Sequence, residues 1–94
     1  MAATRLNPEI KTKRVSWETG SIAANADYNA SLGQYIPSDA TKVLAFAGVY
    51  AQPITSWGSF PVIQWVNVDN KTIRIHNMGN SSQNFRVSMQ VIYI

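Results

Sequence analysis

Residues 85–94 read Phe85-Arg86-Val87-Ser88-Met89-Gln90-Val91-Ile92-Tyr93-Ile94. Phe85, Val87, Met89, Val91 and Tyr93 recur at every second position, and Arg86, Ser88 and Gln90 fall between them. A period of two puts successive side chains on opposite faces of a strand, so the first set predicts a core-facing surface and the second a solvent-facing one. The polar face ends in Ile92 and Ile94. Those two residues predict a cover from a second layer or a neighbouring chain, because an exposed apolar edge invites aggregation.

Upstream, residues 72–77 place Ile73 and Ile75 inward and Thr72, Arg74 and His76 outward. The intervening MGNSSQN has loop composition, and the two strands are expected to form a hairpin across it. Residues 61–68 are rich in β-branched side chains and lead through Asp69-Asn70-Lys71 into the Thr72 strand. Asp and Asn tolerate the left-handed backbone of tight turns, so a second hairpin is expected there. Residues 42–51, KVLAFAGVYA, are apolar on both faces, with Leu44, Phe46 and Tyr50 on one and Val43, Ala45, Ala47 and Val49 on the other. A central strand fits this pattern; a short buried helix is the rival, opposed by Gly48 and the valines. Lys13-Val15-Trp17 alternates up to Gly20, and short strands are expected over 22–26 and 28–32, ahead of Tyr35-Ile36-Pro37, with one helical turn at Ser38-Asp39-Ala40.

Six or seven short strands at this spacing, without intervening helices, predict an all-β fold: an antiparallel β sandwich, jelly-roll-like, in one domain. The chain of 94 residues has room for one core. Apolar and aromatic residues make up 46% and charged residues 14%, which leaves a surface dominated by Ser, Thr, Asn and Gln and hints at assembly. Four of the eight basic residues, Arg5, Lys11, Lys13 and Arg14, crowd into residues 1–14. That segment is expected to be a tether or docking arm, or else a solvated tail, with the sandwich spanning 15–94. The rest of the chain is near neutral and lacks a basic face interleaved with aromatics, so nucleic acid is not an expected partner. No apolar run reaches the length of a membrane helix, so no membrane insertion is expected, and MAATRLNPEIKTKR lacks the apolar stretch of a signal peptide.

The chain has no cysteine, one histidine and five carboxylates. Asp27, Asp39 and Asp69 sit among turn residues, where an Asp bonds backbone N–H groups. His76 has no companion ligands at metal-site spacing, and the isolated glycines build no phosphate loop. An enzyme is therefore not expected, nor a metal or cofactor. The three Asn-x-Ser/Thr matches, at Asn29, Asn70 and Asn80, follow from a chain rich in those residues. The loop Gln52-Pro53-Ile54-Thr55-Ser56-Trp57-Gly58-Ser59-Phe60-Pro61 carries more apolar area than loops usually do. It reads either as a lid over the sandwich end or as a contact surface, with Trp57, Tyr50, Phe60 and Ile54 as the contact residues. Trp17 and Trp65 alternate within strands and are expected in the core or a subunit interface.

The run GSIAANADYNASLGQYIP, then KVLAFAGVYAQ, then NKTIRIHNMGNSSQNFRVSMQVIYI resembles the small β-sandwich domains of tailed-bacteriophage virion proteins. The resemblance covers residues 15–94 and carries no ligand residues. It implies a non-enzymatic virion surface protein, of the tail-fibre or receptor-binding type contacting host surface saccharide or another receptor. The alternative is a capsid decoration or head-fibre protein that stabilises the virion. A homo-oligomer, with a trimer favoured, and other virion proteins are the partners it implies.

Overall fold

In the computed structural model the predicted closing strand is the centre of a sheet. The structure describes residues 9–54 and 59–94. Its strands are β1 (Lys11–Ile22), β2 (Asp27–Ser31), β3 (Val43–Pro53), β4 (Pro61–Asn67), β5 (Thr72–Asn77) and β6 (Gln83–Tyr93), with one 3-10 turn at Gly33–Tyr35. They form two three-stranded antiparallel sheets, ordered β1-β6-β3 and β2-β5-β4. The fold is the small all-β sandwich that the alternation predicts.

The two central strands carry the core. Phe85, Val87, Met89, Val91 and Tyr93 of β6 are buried, as are Ile73 and Ile75 of β5, and Leu32 and Val43 join them. Leucine, isoleucine and valine side chains of this kind each stabilise the fold by about 1.5–3 kcal/mol when fully removed from water. The backbone of Ile94 exchanges bonds with Lys42, which carries the β3–β6 ladder to the last residue of the chain.

Several expectations change once the strands are paired. Residues 72–77 and 85–94 are not a hairpin: β5 and β6 lie in different sheets, residues 78–82 cross between them, and Gln83 and Asn84 of the expected loop already belong to β6. The β4–β5 hairpin does form, but the left-handed residue in its turn is Lys71 (φ 55°), while Asn67 Oδ1 accepts the Asn70 N–H at 2.9 Å. The Lys71 carbonyl is then free to accept the Leu32 N–H at 2.7 Å, which ties the end of β2 to this turn. Residues 22–26 are not a strand beyond Ile22; the chain turns there through Asn25 (φ 58°), and the Ala26 N–H bonds the Ala23 carbonyl. Tyr35 closes the 3-10 turn that follows β2.

The edge strand β1 starts at Lys11, so the last four residues of the expected arm are paired with Gln90, Val91, Ile92 and Tyr93 of β6. Gly20 does not end this strand; the register shifts between Glu18 and Ser21, and pairing resumes. In β3, bulges between Val43 and Ala45 and between Ala47 and Tyr50 break the expected two-face division. Phe46 lies opposite Val91 and packs on the core with Val49 and Ala51, whereas Ala45, Ala47 and Tyr50 lie opposite Ile92, Gln90 and Ser88 on the other side. Gly48 makes the second bulge with φ 60°, a conformation that costs an L side chain about 1 kcal/mol or more.

Candidate functional site

The outward face of the second sheet gathers the most chemically varied surface among the described residues. Its middle strand, β5, turns Ile73, Ile75 and Asn77 inward, so Thr72, Arg74 and His76 face out as their alternation predicts. The neighbouring strands set what lies beside them: Asn29 and Trp65 flank Arg74, and Asp27 and Val62 flank His76.

Trp65 reaches this face because of a bulge. Strict alternation from Ile63 would send Trp65 inward, but the β4–β5 register shifts between Ile63 and Trp65. The extra residue places Trp65 outward opposite Arg74 and returns Val66 to the inside opposite Ile73. Trp65 is 40% exposed, so the expectation of a core tryptophan is corrected by the two-against-one count that a bulge creates.

The polar groups hold one another in place. Arg74 Nε donates to Asn29 Oδ1 at 2.8 Å, and its guanidinium carbon lies 5.5 Å from the Trp65 ring centroid. Two register pairs away, on the same face, His76 Nδ1 and Asp27 Oδ1 are 2.7 Å apart. A cation over an indole gains about 0.5–1 kcal/mol at an exposed site, which is enough to orient the side chain without anchoring the fold. The result is a flat surface on three paired strands, with an indole, a guanidinium, a carboxamide, an imidazole and a carboxylate side by side. Among the described residues no three His, Cys, Asp or Glu side chains come together as a metal site.

The residues singled out from sequence occupy other places. Tyr50 is 46% exposed on the opposite side of the sandwich, where its strand partner is Ser88. Ile54 and Phe60 are both exposed, and Phe60 lines an open concavity of about 320 Å³ with Asn25, Met78, Gly79 and Asn80. Trp57 lies outside the described residues, as does Arg5. Lys11 is held by Asp39 at 3.3 Å and lies 5.8 Å from the Tyr93 ring, while Lys13 and Arg14 are exposed along β1. Charges on an edge strand discourage a second chain from pairing there. Asp27 does not close a turn as its sequence context suggests but opens β2 and meets His76, and Asn29 matters through Arg74; both roles come from pairing with β5, which no spacing within 27–31 announces, and the outward Arg74 and His76 were the available signal.

No protein-family model matches the chain, and neither a curated protein nor a solved structure shows a significant match. Among the described residues no helix is long and apolar enough to cross a membrane.

Proposed function

We propose that the chain is a non-enzymatic binding module of a tailed-phage virion surface, and that the outer face of the β2-β5-β4 sheet contacts saccharide on the host. The virion setting rests on the sequence resemblance. The saccharide reading rests on one observation: an exposed Trp65 indole beside Arg74, Asn29, His76 and Asp27 on rigid paired strands. A sugar ring presents C–H faces edged by hydroxyls, and so asks for a flat apolar platform with donors and acceptors around it.

Binding to host cells and to an array of glycans tests the reading. Trp65→Ala is expected to weaken binding about tenfold or more, as loss of a stacking contact does, with little change in thermal stability. Undiminished binding by this variant, or no glycan bound by the wild type, would overturn it.

A second reading, a decoration or head-fibre protein attached to other subunits, is favoured by the opposite face. There Leu44 and Tyr50 are exposed, and Ala45, Ala47 and Ile92 lie on the same side of β3 and β6. Small residues of this kind allow close approach of another subunit, which supports a homo-oligomer of the trimeric sort that the resemblance implies.

A further inference from the structure

We infer that the saccharide bound on the β2-β5-β4 face is an acidic one, whose carboxylate docks on the guanidinium of Arg74. The inference rests on the saccharide reading and goes beyond it by naming the chemical class of the ligand.

Arg74 occupies the centre of the face, on the middle strand, and is half-buried. Its guanidinium is restrained on two sides. Nε is spent on Asn29, and the guanidinium carbon lies over the Trp65 ring, 5.5 Å from its centroid. The two terminal amino groups have no partner among the described residues. Among the described residues no carboxylate lies within ion-pair distance of this cation. Arg86 by contrast lies 3.5 Å from Glu18, and Lys11 lies 3.3 Å from Asp39. The acidic group nearest along the register, Asp27, is engaged by His76.

A guanidinium fixed in this way has already lost the side-chain freedom that binding would otherwise cost, and it presents a planar fork of N–H donors. The matching acceptor is a planar group with two oxygens and a negative charge, which is a carboxylate. A neutral sugar would satisfy the donors through hydroxyls but leave the charge uncompensated. An acidic sugar places its carboxylate on Arg74 while the ring C–H groups meet the exposed part of the Trp65 indole.

The experiment compares matched pairs of ligands. Oligosaccharides of galacturonate, glucuronate and mannuronate, and sialyl-oligosaccharides, are titrated as free acids and as their methyl esters. Each pair shares its ring and differs in charge. At least one acid is expected to bind about tenfold more tightly than its ester, the gain typical of a charge-assisted hydrogen bond, and raising the salt should narrow the difference. Arg74→Gln should abolish the preference. Asn29→Ala, on an edge strand, should reduce it while keeping the charge, because the guanidinium is then less well held. Thermal melts of both variants establish that they fold.

Equal affinity for acid and ester, or a preference that survives in folded Arg74→Gln, would overturn the acidic inference and leave the saccharide reading standing. Binding confined to neutral glycans of the host array would do the same. If no glycan binds at all, the saccharide reading falls and this inference falls with it. Tight binding of oligothymidylate that is lost in both Trp65→Ala and Arg74→Gln would assign the face to single-stranded nucleic acid and overturn both.

Discussion

The Trp17 ring stacks on that of Tyr35, with centroids 4.3 Å apart and planes 17° from parallel, while the Trp17 indole N–H donates to the Tyr28 hydroxyl at 3.1 Å. These contacts join β1 of one sheet to β2 of the other and to the 3-10 turn that follows it. The aromatic cluster thus bridges the two sheets on this side of the sandwich.

Trp17→Phe keeps an aromatic ring on Tyr35 but removes the indole donor, and Tyr28→Phe removes the acceptor of the same bond. Each is expected to cost about 1 kcal/mol, the usual net value of such a bond. The double substitution should cost clearly less than the sum of the two. Urea unfolding of the four proteins measures this coupling, and strict additivity would show that the bond contributes nothing.

Burial raises the pKa of Tyr35 above its ordinary value of 10.0, and the neighbouring Tyr28 raises it further, against a smaller lowering by Gln34. The folded state therefore holds the phenol proton more tightly than the unfolded state does. The stabilisation is fully present below the unfolded pKa and is lost as pH rises through the folded one. Stability should decline above about pH 10 on that account. In Tyr35→Phe the decline should be shallower, as chemical denaturation at pH 9 and pH 11 would reveal; an equal decline in both proteins would count against Tyr35.

Asn77 is fully buried where β5 leaves its sheet, and it organises the crossover to β6. Its amide nitrogen donates to the carbonyls of Ile22, Ala23 and Ser81, and its oxygen accepts the Gly79 N–H at 2.8 Å. Gly79 is pressed against Ser59: a Cβ there would collide with the Ser59 side chain and come within 2.6 Å of its Cα. Gly79→Ala is expected to destabilise the domain by about 1–3 kcal/mol, as overpacking at a rigid site does. Because the backbone contact remains, Ser59→Gly in the same chain should not restore stability. Recovery in the double variant would place the conflict in the serine side chain alone.

Ile92 tests the self-association proposed for the outer face of the β1-β6-β3 sheet. It is half-buried opposite Ala45, away from the core that Val91 and Tyr93 fill. Light scattering at micromolar concentration should give the mass of an oligomer, a trimer being favoured, and Ile92→Asp should lower it while the domain stays folded. A monomeric wild type would sink the self-association reading, and a dimer would sink its trimeric form.

How much of this was legible in the chain differs element by element. The alternation in Phe85 to Tyr93 and in Thr72 to Asn77 identified the two central strands and their buried faces, because the period of two is a property of a single strand wherever that strand carries no bulge. The same reasoning put Arg74 and His76 outside. Six or seven such strands, with turn-forming Asn and Asp between them and no helical stretch, were enough to name an all-β sandwich.

Tertiary structure decided the rest. A bulge is a relation between two strands, two residues against one, so nothing within PVIQWVN says that Trp65 turns outward or within KVLAFAGVYA that Phe46 turns inward. The length of MGNSSQN suited a hairpin as well as a crossover, and the choice fell to the sheet in which Phe85 to Tyr93 could be covered on both edges, by β1 and β3. That choice left β2 and β4 to flank β5. Asp27 and Asn29 thereby came beside His76 and Arg74 although more than forty positions separate them in the chain. Where no bulge intervenes, local periodicity determines which way a side chain points; strand pairing places the bulges and determines what each side chain meets.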